Sequence, residues 1–249
     1  MNTILCLAPH PDDAEIYCGG LLLLTKRAGM RVVIVDCTRG EMGTRGSVEL
    51  RKREAAAADR MLSTDARLNL KLRDGHLRDD DALREPLVGA LRRFRPRIVL
   101  APYWEDQHPD HAAVGRAAEH AAYLCGVPKY APRSARGVAH PERIPYRPEL
   151  LLHYNNRYGI SAGLVLDISG VFEEKIKLVG CYASQFGAGS AGGARHKKEP
   201  LTRLSSEAFL TWFRARHAFY GSQIGAAFGE AFCTKGPIPL RGVEWLFVR

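Results

Sequence analysis

The sequence predicts an α/β fold with a mostly parallel sheet and helices on both faces. Three observations predict it. Short apolar runs alternate with segments of helical periodicity as far as residue 125, the pattern of right-handed βαβ units. The runs around 4–7, 31–36 and 97–101 are apolar at their centres, as strands covered on both faces are. Two His/Asp clusters each follow such a run and precede a helix, which puts them at the carboxyl edge of the sheet, where open α/β folds bind ligands.

The elements follow in order. A first strand over 4–7 leads into Ala8-Pro9-His10-Pro11-Asp12-Asp13-Ala14-Glu15. Its two prolines restrict the backbone, which suits a ligand set that tolerates only small errors of distance and angle. A helix over 14–27 ends at Gly29, and a second strand covers 31–36. This first strand-to-helix loop lacks G-x-G-x-x-G, which excludes a nicotinamide dinucleotide. The stretch from Thr38 to Gly46 is polar and glycine-rich, a loop able to close over a ligand. Ser47 caps a helix over 48–62, on which Arg51 and Glu54 stand one turn apart and can pair. A strand over 66–70 ends in a turn with Asp74 at its bend, either as an Asx turn or as an acceptor for a sugar hydroxyl. A helix over 80–94 stops before Arg95-Pro96, and a strand covers 97–101. The second cluster, Gln107-His108-Pro109-Asp110-His111, opens a helix over 112–124.

Beyond residue 125 the pattern loosens. Residues 126–148 are rich in Pro, Arg and His and read as an excursion over the active-site edge or an oligomer contact, with His140 an ordinary residue there. Strands are expected over 150–154 and 163–168, and Ser169 is expected to cap a helix running to about 183. Residues 186–198 are Gly/Ala-rich and basic, and expected to be mobile. An amphipathic helix covers 204–220, and the rest carries short apolar pieces ending in Trp245-Leu-Phe-Val. With no internal repeat and no boundary signal, one domain is expected over 1–249.

Composition bounds the function. The chain has 249 residues, 46% of them hydrophobic, with no apolar run long enough to span a membrane. The N-terminal run is too short for a signal peptide, so a cytoplasmic enzyme is expected. Six scattered cysteines without a C-x-x-C pair read as reduced thiols. A net charge of +9 raises nucleic-acid binding as a different class of function. Dispersed arginines and the absence of a recognised motif speak against it; a small anionic substrate, or plain solubility, accounts for the charge as well. The paired clusters are more telling. His, Asp and His with an open position make a catalytic zinc set. The plainer reading, Asp12 or Asp13 as an N-cap beside an ordinary His10, explains one cluster and leaves the other unexplained.

His10-Pro-Asp-Asp13 together with His108-Pro-Asp-His111 resembles the LmbE/PIG-L superfamily of metal-dependent N-acetylglucosaminyl deacetylases. Thr38-Arg-Gly-Glu41, Arg51-x-x-Glu54, Ala101-Pro-Tyr-Trp-Glu-Asp106, Tyr182-x-Ser-Gln-Phe186, Arg203-Leu-Ser-Ser206 and Tyr220-Gly-Ser-Gln-Ile-Gly225 are similar to its bacillithiol-biosynthesis branch. The resemblance implies a Rossmann-like three-layer α/β/α fold, a homo-oligomer, and one Zn2+ per subunit held by His10, Asp13 and His111. His/Asp sites also take Fe(II), Co(II) or Mn(II). It implies Asp12 as general base, and His108 as a protonated partner oriented by Asp110. The implied substrate is N-acetylglucosaminyl malate, cleaved to glucosaminyl malate and acetate. Expected substrate contacts are Arg51, the right residue type for bidentate carboxylate recognition, with Glu41, Asp74 and Tyr182. Tyr103 and Tyr182 are candidate donors to the oxyanion. Alternatives with the same metal site are another glycoconjugate deacetylase, a thiol-conjugate amidase, or an inactive scaffold. Intact Asp12 and His108 argue against the last.

Overall fold

The structure, a computed structural model, describes residues 2–132, 143–154, 162–186, 200, 202 and 204–238. The expectations for His140, for 187–198 and for the tail beyond 238 lie outside the described residues.

Seven strands form one sheet: β1 (Thr3–Ala8), β2 (Arg31–Thr38), β3 (Ala66–Leu72), β4 (Ile98–Pro102), β5 (Leu150–Tyr154), β6 (Leu164–Asp167) and β7 (Gly229–Cys233). Their order is β3-β2-β1-β4-β5-β7-β6. The first five pair in parallel. β7 is antiparallel to both β5 and β6, so it alone runs against the other six. The expected mostly parallel sheet is therefore present. β7 itself was not legible, because its second residue is a buried glutamate, Glu230, in the place where an apolar residue would mark a strand.

The helices are α1 (Asp13–Arg27), α2 (Val48–Leu62), α3 (Asp81–Phe94), α4 (Pro109–Leu124), α5 (Phe172–Gly180), α6 (Ala183–Phe186) and α7 (Glu207–Ser222). Strand alternation sends β1 side chains to opposite faces. Ile4, Cys6 and Ala8 join α1, α2, α5 and α7 in one core; Leu5 and Leu7 join α3 and α4 in the other. Both faces of the central strands are thus covered, which is why they read as continuous apolar runs.

Two helix starts differ from expectation. α4 begins at Pro109, three residues earlier than its apolar pattern, because proline suits the first helical position and the His108 ring caps the Asp110 N–H. Ser169 does not cap a long helix: its hydroxyl turns back to Asp167 Oδ1 at 2.6 Å, a 3-10 turn covers Ser169–Val171, and helix resumes only at Phe172. The chain order reverses between β1 and β4, and the loops after β1, β2, β3 and β4 gather at that edge.

Candidate active site

The loop after β1 is held in an unusual shape. Asp12 caps α1 at φ 125, ψ −26, a conformation costly for any residue with a Cβ. The geometry sends the two neighbouring carboxylates different ways. Asp13 accepts the His10 N–H at 2.9 Å and brings Oδ2 within 3.2 Å of His10 Nδ1 and 3.3 Å of His111 Nε2. Asp12 turns to Arg51, whose Nη1 donates to Pro11 O at 2.6 Å and to Asp12 Oδ2 at 3.0 Å. Burial and the neighbouring Asp13 raise the Asp12 carboxyl to about 7 against the pull of Arg51. Burial would raise Asp13 as well, but the charge of His111 and hydrogen bonds from both imidazoles hold it well below the carboxylate range.

The donor atoms of His10, Asp13 and His111 all lie within 4.8 Å of one another, on the floor of a cavity of about 510 Å3. Two imidazoles and a carboxylate suit a divalent ion with a position left open. His111 Nδ1 is buried without a hydrogen bond, and its nearest acid, Asp106 Oδ2, stands 3.8 Å away. A second grouping, His10, His108 and Asp110, meets the same distance test. It is the poorer one, because Asp110 spends its oxygens on the N–H groups of Gly75 (2.7 Å) and Leu77 (3.0 Å).

Several expected roles need correction. Asp110 does not orient His108 through its carboxylate: only its backbone N–H reaches His108, donating to Nδ1 at 3.2 Å. Since Nδ1 accepts, the proton of His108 sits on Nε2. Burial and the nearby His111 and His10 lower its pKa, the opposite of the expected protonated partner. Arg51 does not pair with Glu54. Glu54 instead accepts from the N–H and hydroxyl of Ser184, both at 2.7 Å, fastening α6 to α2. Tyr182 is fully buried with its hydroxyl on Glu15 Oε1 at 3.0 Å, away from the cavity. Tyr103 packs on Trp104, and neither lines the cavity. Glu41 braces its own loop by accepting the Asp74 and Arg39 N–H groups. Asp74 does line the cavity, but Oδ1 lies 3.0 Å from His10 Nε2 and Oδ2 accepts the Met42 N–H at 2.9 Å.

The walls carry Ile16, Tyr17, Met42 and Trp212, which the sequence reading did not single out, together with Gln185 and Leu204, which it placed in motifs without a role. Tyr17 could have been found, since it stands four residues after Asp13 on the same helix face. Its ring meets His111 edge-on and stacks on Tyr154 at 5.3 Å. Trp212 carries no such signal, for it comes from α7, distant in sequence.

Residues 5–122 match the family described as PIG-L, GlcNAc-PI de-N-acetylase. A diacetylchitobiose deacetylase of Thermococcus kodakarensis is 31% identical over 75% of this chain and 71% of its own length. A Bacillus cereus protein named "Probable N-acetyl-alpha-D-glucosaminyl L-malate deacetylase 2" is 29% identical over 73% of this chain and 83% of its own. Among solved structures, a conserved protein of Thermus thermophilus superposes with TM-score 0.80 and 34% identity, covering 97% of this chain and 98% of that one. The N,N'-diacetylchitobiose deacetylase of Pyrococcus horikoshii superposes with TM-score 0.79 and 26% identity, covering 93% and 83%.

Proposed function

Because the chain belongs to the PIG-L/LmbE family of metal-dependent N-deacetylases, we propose that it removes the N-acetyl group of N-acetylglucosaminyl malate, giving glucosaminyl malate and acetate. The observation that carries the reaction type is the meeting of His10, Asp13 and His111 donor atoms beside Asp12 on the cavity floor. The substrate identity rests on motifs that span the chain and on malate-deacetylase relatives near 30% identity.

His10, Asp13 and His111 would hold the ion, with zinc the metal we propose. When bound, such an ion polarises an amide carbonyl and makes water acidic enough to attack near neutral pH. The chain's own groups do the rest. Asp12, next to the metal-facing carboxylate but turned from it, takes the proton of the attacking water as its oxygen joins the carbonyl carbon. When the C–N bond breaks, that proton goes to the leaving nitrogen, which departs as the sugar amine while acetate remains. His108, with its proton on Nε2, is an N–H donor for the developing oxyanion. Arg51 holds Asp12 in place by donating to its Oδ2 and to the preceding Pro11 carbonyl. Tyr17 and Trp212 give the sugar apolar walls.

One observation favours a second substrate, a neutral N-acetylated disaccharide. Among the described residues Arg51 is the only lysine or arginine lining the cavity, and Asp12 engages it. A malyl group brings two carboxylates that need cationic partners. The test is acetate release from N-acetylglucosaminyl malate, diacetylchitobiose and N-acetylglucosamine, compared as kcat/KM with zinc present. We expect the malate conjugate to lead by at least tenfold. A higher kcat/KM on diacetylchitobiose would replace the malate assignment, and no acetate from any of the three would remove both.

A further inference from the structure

Asp74 was expected at the sugar, yet its contacts lie behind His10. Two carboxylates face His10 Nε2: Asp74 Oδ1 at 3.0 Å and Asp110 Oδ2 at 3.4 Å. A carboxylate only accepts, so the imidazole proton is drawn to Nε2. Nδ1 faces Asp13 Oδ2 at 3.2 Å and donates to it in the metal-free ring; an ion bound beside Asp13 would take the place of that proton, while the two carboxylates keep the proton on Nε2. The tautomer required of a ligand atom at Nδ1 is thus set from the opposite edge of the ring.

The same carboxylate reaches further. Its other oxygen accepts the N–H of Met42, which lines the cavity from the loop after β2. The Asp74 N–H donates to Glu41 Oε1 at 3.1 Å, and Glu41 Oε2 accepts the Arg39 N–H at 3.1 Å. Asp74 and Glu41 therefore exchange hydrogen bonds with each other's segments. Asp110 in turn is fixed by the Gly75 and Leu77 N–H groups. His10 and the loop that carries Met42, distant from each other in sequence, thus meet at the carboxylate of Asp74, a residue only 5% exposed.

We propose that Asp74 is a positioning residue for the metal centre: it holds the tautomer and ring plane of His10 and ties the loop over the cavity to that same ring. This rests on His10 being a ligand. Groups in this outer position typically change metal affinity by 10- to 100-fold when removed. The two oxygens have separable tasks. In Asp74→Asn the amide oxygen can still accept from His10 Nε2, but the NH2 group then faces the Met42 N–H, and two donors repel.

The experiment strips the protein of metal and measures zinc affinity by competition with a chromophoric chelator, together with hydrogen exchange at the Met42 amide. We expect Asp74→Ala to bind zinc 10- to 100-fold more weakly. Asp74→Asn should recover most of that affinity while its Met42 amide exchanges faster than in the unaltered protein. A merely structural residue would not separate these two readouts. Wild-type zinc affinity in Asp74→Ala would overturn the proposal. Equal affinity losses in the Asn and Ala variants would overturn the hydrogen-bond account. His10→Ala is the control: loss of zinc there supports the ligand reading beneath the proposal, and full zinc retention would remove that reading and the proposal with it. These measurements need no substrate, so they stand whichever acetamido sugar is cleaved.

Discussion

Asp12 and Asp13 are chemically the same and differ only in what the backbone presents them to. Asp13→Asn removes an anionic donor from the meeting point of the two imidazoles, so zinc content and rate should fall together. Asp12→Asn leaves those donors intact, so zinc content should stay near normal while kcat falls about 10²–10⁴-fold, the usual span for acid–base catalysis. Metal analysis and kinetics on the same preparations check both. Arg51 makes its bonds to Pro11 and Asp12 rather than to an open surface. Arg51→Met should therefore lower kcat with little change in KM, and added to Asp12→Asn it should cost almost nothing more, because both act through one carboxylate. A KM rise with kcat intact would mark Arg51 as a substrate contact. The pH profile gives a further check. A base must be deprotonated to work, so with Asp12 raised to about 7 by burial, kcat/KM should fall as pH drops through that region. The Arg51 charge lowers this pKa, so Arg51→Met should move the acidic limb to higher pH.

At the level of elements, α1 is shaped by a partner far away in sequence. The Glu230 carboxylate of β7 accepts the N–H groups of Gly20 and Leu21 at 2.6 and 2.7 Å, inside the helix. It also accepts from the fully buried Lys175 of α5 at 2.6 Å. A Cβ on Gly20 would come within 2.6 Å of Ile168 Cγ2 and 2.8 Å of Glu230 Oε1. Gly20→Ala should thus destabilise the fold by about 1–3 kcal/mol, the cost of overpacking, read as a lower urea midpoint. His217 of α7 completes this cluster, its Nε2 2.7 Å from Lys175 Nζ and its Nδ1 on Phe213 O. Burial and then the Lys175 charge push its pKa well below 6.5. Below about pH 6.5 the unfolded chain binds a proton there that the folded chain refuses, so the His217 contribution to stability falls as pH drops, by about 1.4 kcal/mol per unit. Asp12, raised to about 7, contributes the opposite slope in this range. The test is therefore the stability difference between the unaltered protein and His217→Gln, which should change by about 1.4 kcal/mol per unit as pH falls from about 6.5 to 5.5 in urea titrations.

Over the whole molecule, the proposed metal would join the start of α4 to the segment that links β1 and α1. Its proposed ligands come from the loop after β1, from the start of α1 and from the first turn of α4. An ion bound to the folded state alone stabilises it by mass action, about 4.1 kcal/mol at 1,000 times its Kd. Chelation should lower Tm and zinc should restore it, whereas His111→Ala should show neither response. We also expect the chain to unfold in one step, because one sheet with a core on each face offers no dividing line among the described residues. Coincident far-ultraviolet and near-ultraviolet transitions would bear that out.

Legible in the residues alone were the parallel half of the sheet, the helices on its two sides and the two loops that carry the His/Asp clusters. Those features are local: apolar runs, helical periodicity, prolines and capping residues act within a few neighbours. The sequence also marked Arg51, Glu54, Tyr182 and Ser184 as belonging to motifs and Asp74 as the bend of a turn, but not what they touch. Only the tertiary structure sent Arg51 to Asp12 and Glu54 to Ser184, though the two stand one helical turn apart. It alone put Asp74 and Asp110 behind His10, and brought β7 into the sheet with a glutamate buried in α1. Each of these is a contact across tens to hundreds of residues. Such a contact is decided by which polar groups lose water together when the elements pack, since a buried donor or acceptor left unpaired costs more than a helix-surface ion pair returns.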